Sequence, residues 1–160
     1  MPMLVHAATK EQAVKAGFVY NVTKYVIWPN HVSNDEQFNL CVFGDAKLGG
    51  SLKSLQGKLV ANKPLVLRRW VKSDSLESCH MVFVSQDSTK EMKTLLQRIN
   101  TFPVLTISDS PHFIDNGGMV GLIRDGTRVG LEVDLKAVRA SGLNMSAQLL
   151  KLAKTVRGLE

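Results

Sequence analysis

The sequence predicts a single α/β domain with a mainly parallel sheet, helices on both faces and a C-terminal hairpin. Three observations point there. Phe38–Gly44, Cys79–Val84 and Val104–Ser108 are short, mainly apolar runs of strand length, the pattern of strands in a buried parallel sheet. Segments with helical spacing and capping residues alternate with them, in the order β-α-β-β-α-β. Near the end, Asp125-Gly126 separates two further apolar segments, the dipeptide that a two-residue hairpin favours.

Lys10 to Trp28 reads as a helix with an apolar stripe at Val14, Phe18, Val22 and Tyr25/Val26, ended by Pro29. After the Phe38–Gly44 strand, Asp45 is a natural N-cap for a helix to Leu55, stopped at Gly57. Pro64 introduces a second strand, Leu65–Val71. The third, Cys79–Val84, leads to a helix capped by Ser88 or Thr89 and running to Ile99, and Val104–Ser108 is the fourth. Met119–Arg124 and Thr127–Val133 form the hairpin, joined by a type I′ turn in which both central residues need positive φ. A helix from Asp134 or Leu135 to Ala140 stops at Gly142, and Asn144 or Ser146 caps a closing helix. That helix places Leu149, Leu152, Ala153 and Val156 on one face.

Composition narrows the function classes. At 160 residues and 44% hydrophobic content the chain can bury one sizeable core. Twenty basic against fourteen acidic residues give +6, with Arg68-Arg69 the tightest basic pair. Such a scattered excess is a solvated surface, and neither Trp nor Tyr interleaves with a basic cluster, so a nucleic-acid partner is not expected. No apolar run reaches the roughly 18–20 residues of a membrane span. Leu4-Val5-His6-Ala7-Ala8 has the look of the end of a secretory signal, although an arbitrary start reads the same. Residues 9–157 are therefore assigned to the domain and 1–8 to a leading segment. Cys41 and Cys79 both lie in apolar strands. They would be two buried thiols in a cytosolic protein, or one disulfide in an exported one.

Chemistry-bearing motifs are sparse. Gly44-Asp45-x-x-x-Gly49-Gly50 lacks the spacing of a phosphate-binding loop. Cys79-His80 places neighbouring side chains on opposite faces of a strand. The four histidines show no paired metal spacing, and Cys41 and Cys79 lack the C-x-x-C partners of a zinc site. Ser108-Asp109-Ser110-Pro111 reads as a turn, and Gly117-Gly118 as a release of backbone φ before a strand. No catalytic set, metal or cofactor is expected. One polar constellation stands out: Glu132 on an apolar strand, with Asn21 and Lys24 on the first helix and Arg124 on the hairpin. A buried carboxylate wants a cationic or hydrogen-bonding partner, so a structural cluster of Asn21, Lys24, Arg124 and Glu132 is expected.

Taken together these segments resemble the YfiR family. Ala16-Gly17-Phe18-Val19-Tyr20-Asn21-Val22-Thr23-Lys24-Tyr25-Val26-Ile27-Trp28-Pro29 is similar to its opening helix, and the strands holding Cys41 and Cys79 to its two cysteine-bearing strands. Leu105–Asp109, Gly117–Gly121, Arg128–Asp134 and Ser146–Ala153 follow in the family's order, so the resemblance spans Gln12 to Val156. It implies a truncated Rossmann-like sandwich and a non-enzymatic periplasmic protein. Such a protein represses an inner-membrane diguanylate cyclase by binding its periplasmic domain, and thereby controls cyclic di-GMP, biofilm and motility. An outer-membrane lipoprotein relieves the repression by sequestration. The resemblance also implies a Cys41–Cys79 disulfide, although a further C-terminal cysteine pair of the best-understood type is missing here. A homodimer is the expected assembly. Docking needs exposed apolar area, and Trp28, Trp70, Leu143 and Met145 are the candidates. The alternative is a small-molecule-binding periplasmic sensor with another partner, its ligand near Gly44–Gly50 or Gly117-Gly118.

Overall fold

The computed structural model describes residues 10–29, 36–44, 49–70, 78–85, 89–100 and 102–159. The leading segment 1–8, Asp45, Ser88 and the Trp70 side chain lie outside what it describes. The chain is a mixed α/β fold around an eight-stranded sheet.

Helix α1 (Lys10–Thr23) opens the fold, and β1 (Val26–Ile27) follows it. The central strands are β2 (Phe38–Phe43) and β5 (Met81–Val84). Helix α2 (Gly49–Leu52), β3 (Leu59–Val60) and β4 (Lys63–Trp70) lie between them in sequence. Helix α3 (Thr89–Ile99), β6 (Leu105–Ser108), β7 (Val120–Asp125) and β8 (Arg128–Asp134) come next. The chain closes with α4 (Leu135–Ala140), β9 (Asn144–Met145), α5 (Ala147–Leu152) and β10 (Thr155–Arg157).

The sheet runs β10-β8-β7-β6-β5-β2-β4-β3. Strands β4, β2, β5, β6 and β7 are mutually parallel, whereas β3 and β8 run antiparallel to their neighbours β4 and β7. The sheet is therefore mixed, with antiparallel pairs at both ends of a parallel centre. All six residues of β2 and all four of β5 are buried, because both faces are covered. Strand alternation divides their side chains. Leu40, Val42, Met81 and Phe83 pack with Ala16, Val19 and Val22 of α1 and with Leu135, Val138 and Leu149 of the C-terminal helices. Cys41, Phe43, Val82 and Val84 pack with Met92, Leu95, Leu96 and Ile99 of α3. The second cluster contains the disulfide Cys41–Cys79, with Cα atoms 5.9 Å apart.

Several sequence-based expectations shift. The first helix ends at Thr23, not Trp28: the amides of Lys24 and Tyr25 bond back to the Asn21 and Val22 carbonyls, and Val26–Ile27 pairs with Asn144–Met145. Its buried face is Ala16, Val19 and Val22, while Val14 remains 40% exposed. The hairpin turn is Gly126-Thr127, closed by the pair Asp125↔Arg128. Only Gly126 has positive φ there (63°), which is the type II′ pattern, not type I′. A type I′ pattern occurs instead between β3 and β4, where Ala61 (50°) and Asn62 (68°) both have positive φ. The closing helix stops at Leu152, which is exposed, and Val156 belongs to β10 alongside Val133. Asp134 and Ser146 do cap α4 and α5, accepting from the amides of Ala137 and Gln148.

Two glycines of one segment differ in what holds them. A Cβ on Gly118 would lie 2.2 Å from the Phe113 ring, whereas one on Gly121 would meet Glu132 Oε2 at an ordinary 3.5 Å. Gly118→Ala should therefore lower unfolding free energy by about 1–3 kcal/mol through overpacking. Gly121→Ala should stay within about 0.5 kcal/mol of wild type, both read by urea denaturation. Alkylation of unreduced, denatured protein should modify neither Cys41 nor Cys79, and Cys79→Ser should lower stability by about 2–5 kcal/mol.

Candidate functional site

Strand β6 stops at Ser108, which pairs with Gly121, while β7 continues to Asp125. This leaves a notch beside Leu122, Ile123 and Arg124, at the ends where the parallel strands finish. Such ends are where open α/β sheets place ligands. The first turns of α1 (Glu11, Lys15) form one wall, and the loop after β6 (Asp109, Pro111, His112, Asp115) the other. With Glu132 of β8 they enclose a cleft of about 460 Å³, within the usual size range of small-molecule sites.

Charge dominates its lining. Lys15 Nζ lies 3.1 Å from Asp109 Oδ2, with both side chains mostly buried (15% and 11% exposed), and ties α1 to the end of β6. Arg124 Nη2 reaches Glu11 Oε1 at 3.2 Å in a solvent-exposed pair. Asp115 accepts from Arg157 of β10 and lies 3.2 Å from His112 Nδ1. Glu132 is half-buried over Gly121, and its carboxylate has no hydrogen bond or ion pair among the described residues. Glu11, Asp109 and Asp115 are thus each engaged by a cation, and Glu132 is the carboxylate left over.

The anticipated polar cluster does not assemble as four residues. Arg124 and Glu132 line the same cleft, but Arg124 pairs with Glu11. Asn21 and Lys24 are exposed elsewhere, with Lys24 Nζ 4.8 Å above the Tyr20 ring. The physical reason is the end of α1 at Thr23, near the opposite end of the helix from the cleft. Glu132 correspondingly makes no ion pair among the described residues, where one to Lys24, Arg124 or Arg128 was expected.

The docking candidates are also redistributed. Leu143 and Met145 are buried at 3% and 6% exposure, Met145 held there by the β1–β9 pairing. Trp28 is half-buried: its Nε1 donates to the His80 carbonyl at 2.9 Å and its ring meets Phe38 edge-on at 5.1 Å. His80 itself is buried, accepting the Asn39 amide at Nδ1 and stacking on Phe38. The large apolar side chains that are exposed among the described residues are Val14, Ile27, Leu59, Leu152 and Leu159. No group of His, Cys, Asp or Glu among the described residues is placed to hold a metal ion. The Gly44–Gly50 loop lies largely outside the described residues, and Gly117-Gly118 packs on Leu96 and Phe113 away from the cleft lining. Sequence reasoning missed Glu11, Lys15, Asp109, His112 and Asp115. Only the Ser108–Pro111 turn signal pointed near them.

Arg157 first, and His112 after it, hold the Asp115 carboxyl below its ordinary value of 3.8. A depressed carboxylate stabilises the fold above that ordinary value, and the contribution disappears as pH falls through the lower, folded-state value. Carbon-detected NMR titration should place the Asp115 midpoint below 3.8, and Arg157→Ala should move it upward.

Among solved structures the chain is similar to a conserved domain protein from Vibrio cholerae O1 biovar eltor strain N16961. The likeness has a TM-score of 0.59 at 12% identity and covers 89% of this chain, which spans 60% of that one. At that identity it speaks for the fold alone. Residues 12–154 match the family described as YfiR/HmsC-like. An eight-stranded mixed sheet sandwiched by helices and a match across nearly all of that sheet place this chain in the YfiR/HmsC-like family.

Proposed function

We propose that the chain is a periplasmic regulator that binds and represses the periplasmic domain of an inner-membrane diguanylate cyclase, and so controls cyclic di-GMP and biofilm formation. The observation that carries this reading is the family match over residues 12–154. The family is regulatory and non-catalytic, and it supports a periplasmic role in cyclic di-GMP signalling in general. The Cys41–Cys79 bond suits an oxidising compartment, and no described helix is long and apolar enough to cross a membrane. Release by an outer-membrane lipoprotein and assembly as a homodimer complete the proposal.

Docking draws on apolar side chains that the core leaves free. Ile27 (63% exposed) and Leu152 (70%) are the strongest candidates, and Leu143 and Met145 are withdrawn because they are buried. The cleft favours a second reading, a sensor domain that binds a small molecule. Native mass spectrometry of purified protein tests it by showing a retained ligand or none.

Deleting the gene should raise cyclic di-GMP and biofilm. Ile27→Asp or Leu152→Asp should reproduce the rise in part while leaving the melting temperature unchanged. Unchanged cyclic di-GMP on deletion would refute the regulatory reading.

A further inference from the structure

The cleft between α1, the loop after β6 and the β7–β8 hairpin holds a charge arrangement that the repressor reading does not use. Asp109 is fixed by Lys15 in a mostly buried pair, Glu11 by Arg124, and Asp115 by Arg157 and His112. Glu132 is half-buried within the same 460 Å³ space and makes no hydrogen bond or ion pair among the described residues; the Arg157 guanidinium, committed to Asp115, acts on it only through space. A carboxylate in partly desolvated surroundings is unfavourable unless a positive group or hydrogen-bond donors meet it. The Glu132 carboxylate lies against Gly121, where a Cβ would meet its Oε2 at 3.5 Å and Ile114 at 3.9 Å.

The strand edge adds a second, independent feature. The turn Gly126-Thr127 makes Asp125↔Arg128 the hydrogen-bonded closing pair, so the alternation of an antiparallel ladder makes Arg124↔Val129 a non-hydrogen-bonded pair. The Arg124 amide and carbonyl therefore point away from β8, past the end of β6 and toward the notch. The cleft thus offers a free carboxylate and a main-chain carbonyl as acceptors, with an amide donor beside them. Acceptors of this kind suit an N–H-rich cation, and the guanidinium of Arg124 is already engaged by Glu11.

We propose that this cleft binds a small organic ligand through a primary ammonium group, with Glu132 as its counter-charge. The ammonium sits against the Glu132 carboxylate, and the alkyl part lies along Leu122 and Ile123, which line the same space. The inference rests on the sensor reading of the cleft and is independent of cyclase repression.

The test uses the full chain, with butylamine and 1,4-diaminobutane as cationic probes and butyrate as the anionic control. Amide chemical shifts are followed through each titration. The amines should shift the Gly121, Arg124, Asp109, Ser110 and His112 amides saturably, and butyrate should not. Glu132→Gln should weaken amine binding at least tenfold with the melting temperature little changed, since its carboxylate makes no hydrogen bond or ion pair among the described residues. Asp125→Asn, which removes an exposed carboxylate paired with Lys154 and not lining the cleft, should leave binding as in wild type. Absence of saturable amine shifts, equal shifts with butyrate, or equal weakening by both variants would overturn the proposal. A ligand without an ammonium retained in native mass spectrometry would overturn it while sustaining the sensor reading, and cyclic di-GMP levels report on repression separately.

Discussion

Burial of β2 and β5 on both faces is the constraint from which the other features follow. These two strands are hydrogen-bonded to each other and to β4 and β6, so their backbone polar groups are satisfied within the sheet. With both faces apolar, each needs helices above and below it. The α1 side gathers the larger core and the α3 side a second one. The disulfide joins β2 to the entry of β5 inside the second cluster, fixing the pair through a covalent link as well as a ladder. Around the same entry, His80 accepts the Asn39 amide, and its carbonyl receives the Trp28 indole. An aromatic side chain proposed for docking is thereby enlisted to brace the central strands.

The cleft is a consequence of unequal strand lengths. Strand β6 is four residues long, whereas β7 and β8 extend further because they are joined by a tight turn. Where β6 stops, the chain turns away through Asp109 and Pro111, and beyond Gly121 the β6-side edge of β7 has no strand neighbour among the described residues. Charged groups can occupy such a notch because it is only half removed from water. Lys15–Asp109 is the most buried of its pairs and links α1 to the sheet, while the more exposed Glu11–Arg124 pair is worth little energetically. Just before β7, Gly118 has no side chain and so admits the Phe113 ring.

Legibility in the sequence tracked how local the determinant was. Phe38–Phe43 and Met81–Val84 were readable because a short, largely apolar run bounded by turn signals suits a buried strand. Ser146 was readable as a cap, and the start of α4 to within a residue at Asp134 or Leu135, because such signals act within three residues. The hairpin was readable as a hairpin, but its turn moved one residue because Gly tolerates positive φ in either central position. Strands β1 and β9 were not readable, since two residues carry no period. Nor was β10: Val156 continued a helical spacing as plausibly as it joined a strand, and only its place beside Val133 settled the matter.

By itself, then, the sequence determined the buried parallel centre, the alternation of helices about it and the resemblance that the family match sustains. Those properties rest on apolar pattern and on residues close together along the chain. Tertiary structure alone decided the charged cleft, because its members come from opposite ends of the chain, with Lys15 and Asp109 separated by 94 positions. It also decided which apolar residues are free. Met145 lost its exposure to a strand pairing with Val26–Ile27 that has no local signal, Leu143 is buried just before that strand, and Leu152 kept its exposure because α5 ends beneath it. Burial depends on what the rest of the chain places alongside, and no spacing of residues records that.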